Sequence, residues 1–485
     1  MSRILVGPFN RVEGDLEVEL EVAGGQVQSA RVNAPLFRGF EQILQGKDPA
    51  DALVFAPRIC GICSVSQSAA AAGALADAMG LSAPPNGRLA RQLMQGVENL
   101  ADHLSHFYLF FMPDFARPAY GARAWHERIQ ARFRAVHGSA SAQFLPARAA
   151  LMRCLGLLAG RWPHTQAFLP GGSSRPLQGS ERIRLYRKLR EFRAFVEEVV
   201  LGDALEAFSA LSGEPELYAW ADGRGGDFPA FVGLCRDLGL QRLGRAQDRF
   251  LSYGAYGAEE GGFALARGVW EDGAVRALDT AGIREDVRHA WYAEGEAPLP
   301  PADGWTPPIA DKPGAYTWCK APRLHGRTAE TGALARQLID GHPLARDLVA
   351  RGGGNVMSRV VGRMIETSRV LPALERWAMA LAPGQSYCNF GAVPDEAQGA
   401  GLVEAARGSL GHWLTVRRGR IHNYQIVAPT TWNFSPRDAL GQPGPLERAL
   451  VGTPAGESGE GSDAAPVAVQ HVVRSFDPCM VCTVH

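Results

Sequence analysis

The chain has 485 residues, 46% apolar and 21% charged, with 50 Lys and Arg against 50 Asp and Glu. That balance excludes a strong general pull toward nucleic acid or an anionic membrane surface, and no run of about 18 or more apolar residues suggests a membrane span. The first residues lack the apolar core of a signal peptide, so the expected compartment is the cytoplasm. Residues 16–33, LEVELEVAGGQVQSARVN, alternate apolar and polar around Gly24-Gly25 and predict a β-hairpin. Helical periodicity dominates the rest. The spacing predicts a long helix over Arg88–Phe111, between Pro84-Pro85 and Pro113, a second over Glu181–Leu201, and a third over Val356–Leu381 that Pro372 interrupts. Glu294–Pro308, rich in Pro and Gly, reads as a loop, and Gly452–Pro466 as a surface insertion. No internal repeat is visible. The fold class these elements predict is α+β, mainly α: a central bundle of long helices, a small N-terminal β-hairpin or sheet, and peripheral loops.

Four of the eight cysteines form two Cys-x-x-Cys pairs, Cys60 with Cys63 and Cys479 with Cys482. Cys154, Cys235, Cys319 and Cys388 are scattered and read as small buried hydrophobes. Two intervening residues let both sulfurs of a pair face one ion, and thiolates suit zinc, iron–sulfur clusters or another thiophilic metal. A zinc ribbon places its pairs about 15–20 residues apart. Here Cys63 and Cys479 lie 416 positions apart. A site that joins them staples both ends of the fold together. One large domain over residues 1–485 is therefore expected, with its N- and C-terminal segments converging on the metal site. The chain also stops three residues after Cys482, and chain ends fray unless something holds them.

The flanks of the two pairs are RICGICSVSQ (Arg58–Gln67) and DPCMVCTVH (Asp477–His485). With RVEG (Arg11–Gly14), RGFE (Arg38–Glu41), PHTQAFLPGG (Pro163–Gly172), AYTWCKAPRLHG (Ala315–Gly326), ARGSLGHW (Ala406–Trp413) and APTTWN (Ala428–Asn433), the sequence resembles the large subunit of nickel–iron hydrogenases from its hairpin to its last residue. The resemblance implies that all four cysteines hold nickel, Cys60 and Cys479 terminally, with Cys63 and Cys482 also bridging to iron. It implies carbon monoxide and cyanide on that iron. It implies a magnesium ion held by Glu41, His485 and a backbone carbonyl near Ile426, which would anchor the C-terminus. Members of the family often carry an extension beyond this histidine that is removed after nickel insertion, and this sequence has none.

The same resemblance assigns the remaining site residues. H2 cleavage leaves a proton for a base, expected to be the Cys479 thiolate, and Glu13 would relay it outward. Arg407 would hang its guanidinium over the open metal position, oriented by the carboxylates of Asp102 and Asp477. Asp102 lies 39 positions after Cys63 on a largely apolar helix. Pro429 and Thr430 match the pair that would hydrogen-bond the second cyanide. The first family motif usually reads CxxCxxxH, and here Gln67 takes the histidine position; glutamine can hydrogen-bond a bridging sulfur but cannot titrate. Gln67, together with the bulkier Ile62 and Phe110 in place of the common valine and leucine, resembles the H2-sensing, regulatory branch. Ile62 and Phe110 would narrow the gas path and exclude O2 more than H2. Each of these residues has a bland alternative, a surface charge or ordinary core packing, which the motif matches outweigh.

H2 oxidation releases two electrons, yet outside the two pairs no cysteine cluster could hold iron–sulfur centres. The expected partner is a small subunit that carries the clusters, forming a heterodimer. The sensing branch adds a dimer of heterodimers and a histidine kinase. The competing readings are an energy-converting uptake hydrogenase with the same chemistry and a structural zinc protein. The related quinone-reducing subunit of respiratory complex I lacks the nickel-binding thiolates, and all four stand here.

Overall fold

The computed structural model describes residues 2–257, 262–455 and 466–485. Residues 456–465 of the predicted surface insertion lie outside the described residues. The predicted hairpin is strands β2 (Glu17–Ala23) and β3 (Gln26–Asn33), paired antiparallel with Val18 opposite Val32. Its alternation buries Leu16, Val18, Leu20 and Val22 on one face. An additional edge strand, β1 (Ser2–Val6), pairs with β2. The short helix α1 (Phe40–Leu44) follows.

The first cysteine pair opens helix α2 (Ser64–Met79), whose run of alanines leaves a slim, smooth surface. Helix α3 (Pro85–Ser105) starts with proline at its first position, where the missing N–H costs nothing. It continues as a wider π turn over His106–Phe111, so the predicted span ends as expected but with a changed pitch. The second predicted helix behaves alike: α4 (Gly179–Phe195) runs on into a π turn over Val196–Leu201. After the short helix α5 (Ala333–Ile339), α6 (Val356–Ala380) is continuous through Pro372. The expected interruption does not occur. Proline removes one helical hydrogen bond, but α6 is buried along most of its length against α3, α4 and α5, and that packing holds the helix together. The segment over 294–308 is a loop with a single short turn at Pro301–Asp303, as predicted.

The mainly helical reading misses a second antiparallel sheet. Strands β4 (Ala397–Ala405), β5 (Gly408–Arg417) and β6 (Arg420–Val427) form it in that order, and it lies directly on α2. The approach is close at Gly401, where a methyl group would stand 1.9 Å from the Ala70 carbonyl oxygen. Helix α7 (Pro429–Asn433) follows β6.

The chain ends answer one another. After α8 (Val467–Ser475), the C-terminal segment runs beside residues 13–14 and finishes in α9 (Met480–Thr483). Met480 N–H donates to the Glu13 carbonyl at 2.7 Å, and Arg38 N–H to the Val484 carbonyl at 3.1 Å. Gly14 sits at φ +80°, and a Cβ there would press on the Val481 nitrogen at 3.0 Å, so this seam requires glycine.

The contact between α2 and β4 gives a test. Gly401→Ala should destabilise the chain by about 1–3 kcal/mol through overpacking. Gly156→Ala, where a Cβ meets nothing within 4 Å, should leave stability unchanged or slightly raised. Thermal melting of the two variants checks this, and equal melting temperatures would contradict the close packing.

Candidate metal centre

Cys63 is the residue just before α2, so the first pair leads into that helix, and Cys479 is the residue just before α9, so the second pair straddles its start. The four sulfurs of Cys60, Cys63, Cys479 and Cys482 all lie within 4.8 Å of one another and are buried. Cys60 and Cys479 approach to 3.5 Å, Cys63 and Cys482 to 3.2 Å, and Cys479 and Cys482 to 3.0 Å. All four are free thiols. Cys154, Cys235 and Cys319 are buried elsewhere, and Cys388 is half-buried.

Charge at such a point is costly without a cation. Donation of its S–H to the other sulfurs, then burial, pushes the Cys63 thiol well above its ordinary range; burial first, then the neighbouring sulfurs, does the same for Cys479. Cys60 moves the other way because its three sulfur neighbours donate to it, and the amides of Ile62 and Cys63 also point at its sulfur, at 3.3 and 3.5 Å. Four soft donors converging at one buried point fit a thiophilic metal.

Arg407 occupies the two-residue turn Ala406-Arg407 between β4 and β5. It is buried, so it is not the surface charge weighed above. Its guanidinium donates to both oxygens of Asp102, at 2.7 and 3.2 Å, to Asp477 Oδ1 at 3.2 Å and to the Asp477 carbonyl at 3.0 Å. Burial raises the Asp102 carboxyl to about 7 against the pull of Arg407, while Asp477, also buried, is held below its ordinary range by the same arginine. Thr430 Oγ1, in the first turn of α7 next to Pro429, accepts from Cys479 N–H at 3.1 Å. The Glu13 carboxylate stays half-exposed near Cys60, Arg407 and Arg38; burial, and after it Cys60, raises it above the usual range. Ile62 is half-buried against the cysteines. Phe110 is half-buried in the π turn after α3, its carbonyl accepting from Arg11 at 3.1 Å. Gln67 is buried, with its amide nitrogen 3.7 Å from Cys482 Sγ.

The last residue is pinned. His485 is buried, its Nδ1 2.6 Å from the Cys482 carbonyl and its Nε2 3.0 Å from Glu41 Oε1. The same carboxylate oxygen accepts from Lys320 Nζ at 2.7 Å and from the Ile426 amide at 3.0 Å. It is thus the amide of Ile426 that meets Glu41. Burial alone would raise Glu41, but Lys320 and then His485 hold it below its ordinary range. Lys320, inside the Ala315–Gly326 motif but given no role from it, already supplies a positive charge there.

Two further supports escape the motif reading. Glu98, one turn before Asp102 on α3, accepts from Val65 N–H and Ser66 N–H, both at 2.9 Å, and from Trp162 Nε1 at 2.9 Å. The start of α2 has no side-chain cap of its own, so a carboxylate from the next helix satisfies its free amides. The second support is Arg336 of α5. Its guanidinium grips Glu366 at 2.7 and 2.8 Å and Glu404 at 2.7 Å, all three side chains fully buried. It also donates to the carbonyls of Ala405 and Ala406, at 2.9 and 3.1 Å, the two residues before Arg407. The only sequence signal for either support is a charge inside an otherwise apolar stretch.

A family model described as nickel-dependent hydrogenase matches residues 38–124 and 115–485. The periplasmic nickel–iron–selenium hydrogenase large subunit of Desulfomicrobium baculatum is 32% identical over 100% of this chain and 95% of its own. The uptake hydrogenase large subunit of Rubrivivax gelatinosus is 27% identical, with 100% and 95% covered. Among solved structures, the reduced nickel–iron–selenium hydrogenase of D. vulgaris Hildenborough superposes with a TM-score of 0.85 at 31% identity, covering 100% of both chains. In this chain the four clustered donors are all cysteine sulfurs.

Removing the Arg336 clamp gives a direct test. Arg336→Met strands two buried carboxylates and should destabilise the chain by about 3–5 kcal/mol. It should also speed amide hydrogen exchange across residues 405–408 in metal-free protein. Wild-type melting and exchange would mean that Arg336 holds nothing in place.

Proposed function

The chain belongs to the nickel-dependent hydrogenase family, and on that premise we propose that it is the active-site subunit that oxidises H2 to two protons and two electrons. The observation that carries this reading is the meeting of four buried sulfurs from both ends of the chain. Cys60, Cys63, Cys479 and Cys482 would hold nickel, Cys63 and Cys482 being shared with an iron that bears carbon monoxide and cyanide. When bound, such a centre supplies the Lewis acidity and the accessible oxidation states that heterolytic cleavage of H2 needs.

The chain's own groups do the rest. Cys479 Sγ takes the first proton, and Glu13 carries it outward: its backbone is bonded to Met480, and its half-exposed carboxylate lies near enough to Cys60 to be raised by it. Arg407 keeps its proton and contributes a fixed positive field, held by Asp102 and Asp477. The Pro429-Thr430 pair would hydrogen-bond a cyanide on the iron. Glu41 and His485 stand close enough to share a magnesium ion, with the Ile426 carbonyl as third protein donor, and that ion would fasten the last residue. The two electrons leave through a small subunit that bears iron–sulfur clusters. No helix among the described residues is long and apolar enough to cross a membrane. The cytoplasmic placement expected from the sequence gains no support from these relatives, one of which is named periplasmic.

Uptake-type oxidation is the first reading, because the relatives above are named as uptake or periplasmic enzymes. H2 sensing is the second, favoured by Gln67 beside Cys482 and by the bulk of Ile62 next to the cysteines. O2 tolerance, low turnover, a histidine kinase and a dimer of heterodimers belong to that second reading.

Infrared spectra of the purified, metal-loaded protein test the main proposal: carbon monoxide and cyanide stretches are expected, and their absence with zinc bound would overturn it. Glu13→Gln should keep those bands and lose H2/D2 exchange by about a hundredfold or more. Wild-type exchange would take Glu13 off the proton path. Ile62→Val with Phe110→Leu should inactivate faster under air, and unchanged behaviour would remove the narrow gas path.

A further inference from the structure

Three fully buried side chains behind the sulfurs form one unbranched line of hydrogen bonds. Gln67 of α2 places Nε2 3.7 Å from Cys482 Sγ and Oε1 2.8 Å from His412 Nε2 on β5. His412 Nδ1 lies 2.7 Å from the Tyr424 hydroxyl on β6. Tyr424 pairs opposite Leu414 and His412 opposite Ile426, so the two side chains are diagonal neighbours on one face of the sheet.

The direction of every link follows from the sulfur outward. A metal-bound thiolate offers only lone pairs, so Gln67 must turn its NH2 group toward Cys482 and its oxygen toward His412. His412 must then carry its hydrogen on Nε2. Its bare Nδ1 can only accept, and Tyr424 must donate. Reversing one link sets two lone pairs or two hydrogens face to face in a buried site, at a cost of about 1–3 kcal/mol. Burial pushes His412 down to about 3 and raises Tyr424, which keeps the imidazole neutral and the phenol protonated.

We propose that His412 and Tyr424 are positioning residues that lock Gln67 as a one-way N–H donor to the Cys482 sulfur. The lock draws electron density from that sulfur and therefore tunes the metal it binds, while no group in the line gains or loses a proton. The inference rests on the nickel–iron reading only for the identity of the acceptor.

Two measurements test it. In the full chain loaded with diamagnetic zinc, which also makes Cys482 a thiolate, and labelled with 15N-histidine, the resonance that disappears in His412→Gln should report a neutral ring protonated at Nε2. A ring protonated at Nδ1, or at both nitrogens, would overturn the proposal whatever metal the protein uses. In the metal-loaded protein, Tyr424→Phe frees His412 to change tautomer and Gln67 to turn. The carbon monoxide band should then move to lower frequency, because a richer sulfur donates more density to iron. An unmoved band would also overturn the proposal. Absence of bands in the wild type would sink the nickel–iron reading instead, with the tautomer still deciding the lock.

Discussion

Four sulfurs within 4.8 Å of one another, buried and drawn from both ends of the chain, are the constraint on which the rest of the molecule turns. Cys63, Cys479 and Cys482, crowded this way, resist ionisation, and a cation reverses that. The arrangement exists only if residues 60–63 and 479–482 are held together. The seam between residues 13–14 and 478–481 does this through backbone hydrogen bonds, and His485 closes it against Glu41. A terminus that would otherwise fray becomes one wall of the site.

Much of the surrounding order is polar. Helix α3 alone carries Glu98 and Asp102 one turn apart, the first capping α2 behind Cys63, the second gripping Arg407. Arg336 fixes the carbonyls just before Arg407, and two buried carboxylates fix Arg336. Such charges stabilise little in sum, since desolvation offsets much of their attraction. What they contribute is geometry: each has few alternatives once buried, so Arg407 and the cysteines are held in one arrangement. The apolar core sets where α3 and α6 lie, and the buried ions set where the reactive groups point.

The chemistry was more legible in the sequence than the architecture. Cysteines at fixed spacing, with RVEG, ARGSLGHW and APTTWN around them, mark a candidate metal site because their side chains are rare and the motifs local, and the four sulfurs do converge. The hairpin over 16–33 was legible because one of its faces is dry and the other wet. The sheet β4–β6 was not: β5 is buried on both faces, so its residues show no alternation. Pro372 misled because burial along α6 outweighs the lost hydrogen bond. The Arg336 clamp and the Glu98 cap join residues separated by 30 or more positions, and no local pattern marks them. Lys320 beside Glu41 was hidden in the same way.

The most direct measurement is anomalous scattering from a crystal of the metal-loaded protein, recorded on both sides of the nickel and iron absorption edges. One nickel peak within bonding distance of all four sulfurs, and one iron peak within bonding distance of Cys63 and Cys482 only, is the expected result. A single zinc peak there, or nickel held elsewhere in the chain, would contradict it.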